Sequence, residues 1–321
     1  AMMAALSSGS IAAEYTVTGS TFPLLTDAEP ARVFDFVLKT DTPRTLKSID
    51  FTTSGTTDLS DVLEVSVVHL RQAGDRSYGT FTPKDGSIQL SNDMEFPKGG
   101  HKFRVFAKVK KGANLLNRVG LQITNFDFAE GDDLKVAEND DYQASRLAYR
   151  IHKTGDHKTH TFRIPACTKA NDGSLLAVYD MRYNSARDLQ EHMDIGLSRS
   201  TDGGQTWSDP VPIMDMGEFG GKPQKENGCS DPGILVDEKT GEVFVTACWT
   251  HGKPNTHQWR GNGSEPGHDI HKAMQFMCVR SKDNGKTWSK PENWTEKLKD
   301  PKWVLFAPAP GNGITMADGT L

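Results

Sequence analysis

An eight-residue motif that occurs twice constrains the fold of this chain more than any other feature. Ser200-Thr-Asp-Gly-Gly-Gln-Thr-Trp207 returns 81 residues later as Ser281-Lys-Asp-Asn-Gly-Lys-Thr-Trp288, and both copies fit S-x-D-x-G-x-T-W. The Asp can cap backbone N–H groups, the Gly can adopt a positive φ, and the Trp can pack across the following strand. We call this motif the Asp turn, and it predicts a hairpin turn with a structural role.

Each Asp turn closes a longer unit of apolar segments. In the first unit the three segments are Ile164-Pro-Ala166, 172–179 and 194–198. In the second they are 231–236, 241–246 and 273–279. Each unit thus has three strands, an Asp turn and a fourth strand, and such units in series predict a β-propeller. Residues 312–321 open a third unit in the same way. A propeller closes with at least about four blades, so we expect the chain to be a fragment of a longer protein.

Residues 14 to about 128 carry short segments in which apolar and polar residues alternate. Those segments are 32–38, 63–70, 103–109 and 119–124. Period-two spacing with Gly, Pro and Asp between segments predicts strands with one solvent-exposed face, and hence a β-sandwich. The acidic stretch at 129–147 is predicted to be a solvated linker. The predicted protein is all-β, with a sandwich and its linker at 1–147 and part of a propeller at 148–321.

Composition excludes several kinds of partner. The 321 residues include 37 Lys+Arg and 42 Asp+Glu, which gives a formal charge of −5, and 36% are hydrophobic. No apolar segment approaches the roughly 18 residues of a membrane-spanning helix, and no basic field exists for nucleic acid. We therefore expect no membrane span and no nucleic-acid partner, while the oligomeric state stays open. Residues 1–13 lack a basic segment and a sustained apolar core, so we do not expect them to form an intact signal peptide.

The four cysteines, Cys167, Cys229, Cys248 and Cys278, lie in the second half of the chain. They could form two disulfides in three pairings or remain four free buried thiols. Free thiols are favoured, because free Cys behaves as a small core residue and the spacing suggests no disulfide framework.

Connectivity separates the two ends of each predicted blade. The Asp turn joins strands three and four, so the start of strand one and the loop between strands two and three lie at the opposite end. That end gathers Arg163, residues 182–192, Asp231 and the long segment 251–271. Two of these loops are longer than a hairpin needs, which favours binding or catalysis there.

Phe162-Arg-Ile-Pro165 followed by two Asp turns resembles the bacterial exo-sialidases of glycoside hydrolase family 33, whose Asp turns are called Asp boxes. The stretch 179–189 resembles the subgroup found in gut bacteria. The resemblance covers about 150–321, and the first half resembles the sandwich that precedes the propeller in that subgroup. It implies a six-bladed propeller, of which about two blades and the start of a third are present. It also implies a secreted or periplasmic retaining hydrolase that removes terminal sialic acid from glycoconjugates.

The resemblance assigns roles to two residues first. Arg163 matches the first member of the family's arginine triad, and a planar guanidinium suits the sialic acid carboxylate. The competing interpretation is a surface ion pair at the end of a strand. Asp188 matches the general acid/base, six residues after Arg182. It could instead be a solvated loop residue, and Glu191 and Asp194 are nearby rivals for the role.

Further sugar contacts follow from the same resemblance. Arg182 is implied to contact the ring hydroxyl region, and Asp231 to accept the C4 hydroxyl. Capping of a helix or turn before Pro232 is the competing account of Asp231. Trp249 and Trp259 could form the walls of the pocket, although core packing explains Trp249 equally well.

No metal or other cofactor is predicted. The histidines near the long segment invite a metal interpretation, yet their spacing matches no zinc motif, and no Asp/Asn ladder suggests calcium. These residues are His251, His257, His268 and His271.

The remaining catalytic parts of the family have no match in the chain. A Tyr nucleophile, its activating Glu and two further arginines are expected after Leu321, so we expect the 321-residue chain alone to lack turnover. Sialylated glycans are the implied partners. Two alternatives remain open: a non-catalytic sialoglycan-binding protein, and a trans-sialidase or intramolecular sialidase. The sequence indicates no preference among α2,3, α2,6 and α2,8 linkages.

Overall fold

A computed structural model describes residues 13–19, 22–27, 29–84, 87–137, 143–252 and 263–321. The chain divides into two compact units, Ala1–Arg150 and Ile151–Leu321. The regular secondary structure of both units is almost entirely β-strand, which confirms the all-β prediction. Among the described residues, none of the helices is long and apolar enough to span a bilayer.

The first unit holds twelve strands within the described residues and one 3-10 turn at Leu59–Asp61. The strands are β1 (Ala13–Gly19), β2 (Leu24–Leu25), β3 (Pro30–Thr40), β4 (Arg44–Thr52), β5 (Val62–Leu70), β6 (Arg76–Phe81), β7 (Ser87–Phe96), β8 (Gly99–Val109), β9 (Arg118–Val119), β10 (Gln122–Phe128), β11 (Leu134–Lys135) and β12 (Ser145–Ala148). They form a five-stranded sheet β1-β3-β8-β5-β6, a four-stranded sheet β11-β10-β4-β7 and a small sheet β2-β12-β9.

Aromatic side chains from the two large sheets meet in one core, as a β-sandwich requires. Phe36 and Phe103 of the five-stranded sheet stack with ring centroids 4.8 Å apart, and Phe126 of the four-stranded sheet lies 5.6 Å from Phe36. All three are buried, because alternate residues of a strand face the same side. The four alternating segments all fall on strands, but 119–124 is interrupted at Gly120. A Cβ there would collide with the backbone carbonyl of Ser54, so the chain turns where only glycine fits.

The acidic stretch is more structured than the linker that was predicted. β11 pairs with β10, β12 pairs with β2 and β9, and the Glu130 carboxylate accepts the backbone N–H of Thr45 (2.9 Å). Residues 138–142 lie outside the described residues. Because β12 belongs to the first unit, the division falls after Arg150 and not after residue 147.

The second unit contains a four-stranded sheet and a five-stranded sheet, which hold the first two blades of a propeller, and the fifth strand of the second sheet is Gly311–Asn312. The strands are β13 (Thr161–Lys169), β14 (Leu175–Arg182), β15 (Met193–Ser200), β16 (Val211–Met214), β17 (Ser230–Val236), β18 (Val243–Trp249), β19 (Gln275–Ser281), β20 (Glu292–Asn293) and β21 (Gly311–Asn312). A short helix, α1, covers Thr295–Leu298, and 3-10 turns cover Asp156–Lys158 and Gln224–Glu226. The first blade has the order β13-β14-β15-β16 and the second β17-β18-β19-β20, as the repeat predicts.

The first Asp turn joins β15 to β16 through its own side chains. The Asp202 carboxylate accepts the N–H (2.9 Å) and hydroxyl (2.6 Å) of Thr206 and the hydroxyl of Ser200 (2.8 Å). Gly204, at φ +90°, donates its N–H to Ser200 Oγ (2.9 Å), and Trp207 Nε1 donates to the Gly204 carbonyl (3.0 Å). These hydrogen bonds lower the pKa of Asp202 to about 2, because they favour its charged form.

The second Asp turn, between β19 and β20, repeats this network. Asp283 accepts the N–H (2.8 Å) and hydroxyl (2.6 Å) of Thr287 and the hydroxyl of Ser281 (2.8 Å). Gly285, at φ +81°, donates to Ser281 Oγ (2.9 Å), and Trp288 Nε1 donates to the Gly285 carbonyl (3.2 Å). The structural role predicted for the motif is confirmed in both copies.

The predicted third unit differs from the first two. Gly311–Asn312 pairs in parallel with Gly233 and Ile234 of β17, and no strand is found in residues 313–321, all of which are described. A strand forms only where it finds a partner, and the exposed edge of β17 supplies one here.

All four cysteines are free, in agreement with the favoured interpretation. Cys229, Cys248 and Cys278 are buried, whereas Cys167 is exposed.

Candidate active site

The first strand of each blade begins with the same irregularity. The pairing of β13 with β14 shifts between Arg163 and Ala166, and the pairing of β17 with β18 shifts between Ser230 and Gly233. At the equivalent place in each bulge a residue has a positive φ, Ile164 at +52° and Asp231 at +62°, and a proline follows. Bulges of this kind redirect side chains at strand ends. They place Arg163 and Asp231 at the end of the blades opposite the Asp turns.

The loop at 183–192 joins β14 to β15 at this same end. A hydrogen bond from the Tyr183 N–H to the His192 carbonyl (3.1 Å) joins the two ends of the loop. From inside the loop, Arg182 Nη1 donates to the carbonyls of Ala186 (2.9 Å) and Arg187 (2.7 Å). The loop is therefore shaped around one guanidinium.

Asp188, the predicted acid/base, lies on this loop beside two arginines. Its Oδ1 is 2.8 Å from Arg182 Nη1 and 3.5 Å from Arg163 Nη1. The side chains of Arg163 and Asp188 are 45% and 56% exposed, so both are open to a ligand. Among the described residues, Asp188 Oδ2 accepts no hydrogen bond, which leaves an oxygen free for proton transfer. The predicted surface ion pair of Arg163 thus exists, and its partner is the predicted acid/base.

Arg182 is placed differently from the sugar-contacting residue that was predicted. Its side chain is 1% exposed and its donors are used by protein acceptors: Nη1 by the loop and Asp188, and Nε (3.1 Å) and Nη2 (2.7 Å) by Asp180. With so little of its surface exposed, Arg182 is hardly accessible to a ring hydroxyl. The structure makes Arg182 a support for Asp188.

Asp180 is a fully buried carboxylate that the sequence analysis gave no role. Besides Arg182, it accepts the Ser230 hydroxyl (2.7 Å) at Oδ2 and the Asp231 N–H (3.0 Å) at Oδ1. Burial raises its pKa to about 6, and the bonds from Ser230 and Arg182 act in the opposite direction. A signal was present: residues two apart on a strand share a face, so Asp180 and Arg182 could have been paired from the sequence.

Asp231 lies close enough to Asp188 for the two charges to interact. Burial, and then the negative charge of Asp188, raise the pKa of Asp231, while Ser230, Arg182 and Arg163 lower it. Its carboxylate accepts the Ser230 hydroxyl (3.3 Å) and, among the described residues, caps no backbone N–H. The capping interpretation is therefore wrong for this structure, and a half-buried carboxylate faces the Arg163–Asp188 pair.

The two rivals for the acid/base role have partners other than Arg163. Asp194 is buried and accepts the Tyr183 hydroxyl (2.6 Å), and burial raises its pKa to about 7. Glu191 accepts Asn184 Nδ2 (3.2 Å) at the side of the loop. Of these carboxylates, only Asp188 adjoins Arg163.

Trp249 belongs to the core and not to a pocket wall. It has no exposed surface, its Nε1 donates to Asn227 Oδ1 (2.6 Å), and its ring meets Phe219 edge to face at 5.0 Å. A Cβ on Gly220 would overlap its ring, which shows how tightly the site is packed. Trp259 lies outside the described residues.

The histidines of the long segment form no ligand set among the described residues. His251 and His271 lie with ring centroids 4.8 Å apart, and His268 Nε2 contacts the Lys299 carbonyl (2.9 Å). His257 lies outside the part of the chain that is described.

Comparison with known proteins agrees with this geometry. Residues 164–321 match the family described as BNR repeat-like domain. A sialidase of Bacteroides fragilis is 42% identical over 240 residues, which is 75% of this chain and 44% of that protein. A sialidase of Micromonospora viridifaciens is 34% identical over 161 residues, 49% of this chain and 23% of that protein. The structure of Hadza microbial sialidase Hz136 superposes with a TM-score of 0.80 at 31% identity, covering 94% of this chain and 64% of that one.

The fold and these matches define a BNR-repeat β-propeller protein with an N-terminal β-sandwich. The chain is a homologue of bacterial sialidases. It spans less than half the length of the curated relatives named above.

Proposed function

We propose that the protein carrying this chain is an exo-α-sialidase, a retaining hydrolase that removes terminal sialic acid from glycoproteins, glycolipids and oligosaccharides. The observation that carries the proposal is the exposed pair of Arg163 and Asp188, 3.5 Å apart, in a homologue of bacterial sialidases.

Arg163 would anchor the substrate carboxylate with its planar, permanently charged guanidinium. The substrate carboxylate would then compete with Asp188 for this cation, while the shorter contact of Asp188 with Arg182 keeps the side chain in place. The free Oδ2 would deliver the proton to the leaving glycoside oxygen. Asp231, half-buried nearby, would accept a sugar hydroxyl. We further propose that the protein acts outside the cytoplasm, where sialylated glycoconjugates are exposed.

Replacement of the proton donor tests the function directly. In the full-length protein, Asp188→Ala should lower kcat on natural sialosides by about 100- to 10,000-fold, the usual contribution of general acid catalysis. An aryl sialoside with a good leaving group should lose far less, because its departure needs little protonation. Steady-state kinetics on both substrates and product analysis provide the measurement.

Asp209→Ala is the matched control, because Asp209 is an exposed carboxylate near the first Asp turn. Equal losses on both substrates in Asp188→Ala would rule out the acid role. Binding of sialosides without cleavage by the full-length protein would contradict the hydrolase proposal and indicate a lectin. Release of transferred or anhydro sugar would indicate a transferase or an intramolecular enzyme.

A further inference from the structure

Asp180 joins two blades at the base of the site. It lies on β14 of the first blade and is fully buried, and its partners Ser230 and Asp231 begin β17 of the second blade. A carboxylate with no exposed surface cannot touch a substrate, so its effect must pass through the groups that it holds.

The first of these groups is the guanidinium of Arg182. Asp180 Oδ2 accepts both Nε and Nη2, which fixes the plane of the guanidinium and leaves Nη1 for the loop. Nη1 in turn holds two loop carbonyls and Asp188 Oδ1. The position of Asp188 thus depends on Asp180 through a rigid, charged connection.

The second group is the backbone of Asp231. Its N–H donates to Asp180 Oδ1 at a residue that has a positive φ and precedes a proline, a conformation that is costly without support. The Ser230 hydroxyl beside it donates to Oδ2 of the same carboxylate. One carboxylate therefore determines both the loop that carries Asp188 and the bulge that carries Asp231.

We propose that Asp180 is a positioning residue that sets the distance between Asp188 and Asp231, and hence the alignment of the leaving oxygen with the proton donor. This inference rests on the proposed sialidase function for its kinetic consequence. Its structural part, that Asp180 orders the 183–192 loop through Arg182, does not depend on any activity.

Asp180→Asn should break the contact with Arg182 while keeping the contact with the Asp231 N–H, and it hardly changes the side-chain volume. The Asn oxygen can still accept the Asp231 N–H, whereas its NH2 group opposes the donors of Arg182. Loss of this pairing should release Nη1 and the loop. A displacement of the proton donor by about 1 Å can lower turnover about 100-fold. We expect that loss in kcat on natural sialosides, a change in KM below about threefold, and a clearly smaller loss on the aryl sialoside.

Asp172→Asn is the matched control. Asp172 also pairs with an arginine of the first blade, Arg199 Nη2 (2.6 Å), but it lies in the β13–β14 turn at the Asp-turn end. The same chemical change there should leave kinetics on both substrates unaltered.

Hydrogen–deuterium exchange of the full-length protein provides a readout that is independent of activity. In Asp180→Asn, amides of residues 183–192 should exchange faster, while those of β15 keep their protection. Unchanged exchange in the loop, or equal kinetic losses on both substrates with faster exchange throughout the second unit, would overturn the proposal. An inactive full-length wild-type protein in which Asp180→Asn still releases the loop would refute the sialidase function and leave the positioning role intact.

Discussion

The two ends of the blades differ in how faithfully they repeat. At one end, the Asp turns share hydrogen bonds nearly atom for atom: Asp202 and Asp283 each accept a Thr hydroxyl at 2.6 Å and a Ser hydroxyl at 2.8 Å. At the other end, the two bulges share a backbone but not their side chains, with Ile164 in one and Asp231 in the other. The blade fold thus specifies the backbone at both ends, and the chemistry varies only where the site lies.

The difference is also one of burial. The Asp-turn carboxylates work at the surface, where their bonds to nearby groups keep them charged, as the low pKa of Asp202 shows. At the site end, Asp180 and Asp194 are buried, and their pKa values are raised to about 6 and about 7. Replacing a buried ionisable group at the site end should therefore change the free energy of unfolding more than replacing an Asp-turn carboxylate does.

The largest loss of unfolding free energy should follow removal of the buried Arg182 guanidinium. Arg182→Ala leaves the Asp180 carboxylate buried without its main partner and should lower the free energy of unfolding by about 3–5 kcal/mol. Denaturant unfolding followed by Trp fluorescence measures this, because all six Trp lie in the second unit. Arg187→Ala, an exposed neighbour, is the control. If Arg182→Ala loses no more unfolding free energy than Arg187→Ala, the site end has no greater effect on stability than an exposed position.

The next largest effect should be a change in how the unfolding free energy depends on pH, and it should arise at Asp194. Asp194 has a folded pKa of about 7 against an ordinary value of 3.8, so the native state holds a proton that the unfolded chain releases. The resulting stability is complete below about pH 4 and is lost as pH rises to about 7. Asp194→Asn should remove about 2–3 kcal/mol of the decline in unfolding free energy between about pH 5 and pH 8.

The control for this pH effect is Asp209→Asn, because Asp209 is exposed. Some decline should persist in Asp194→Asn, since the raised pKa of Asp180 acts in the same direction. A pH dependence identical to that of wild type would show that Asp194 is ionised throughout this range.

The smallest effect should arise at the Asp turns, and it should be equal in the two blades. Asp202→Ala and Asp283→Ala each remove an acceptor of backbone N–H and hydroxyl groups, as in loss of a helix N-cap, and each should lower the free energy of unfolding by less than Arg182→Ala does. Sialoside kinetics of the full-length protein should be unaffected, with Asp209→Ala as control. A selective loss of activity in either variant would contradict the division between a structural and a functional end.

Much of the site could be predicted because its signals are local. Arg163 lies two residues before Pro165, and connectivity alone placed it at the same end as Asp188 and Asp231, where the structure brings them together. Arg182 and Trp249 could not be placed in this way. Trp249 is buried by Asn227 and Phe219, which are distant in sequence. The hydrogen-bond partners of Arg182 are near it in sequence, but its burial is a property of the packed blades, and its partner Asp180 also binds the next blade.

The sequence by itself determined the repeating strands, the two Asp turns and the end of the blades that carries the candidate site. These depend on residue period and turn chemistry, which act over a few residues. Only the tertiary structure decided which charges are exposed and which are buried. Desolvation depends on every neighbour within a few ångströms, and the neighbours of Asp180 come from two blades some 50 residues apart in the chain.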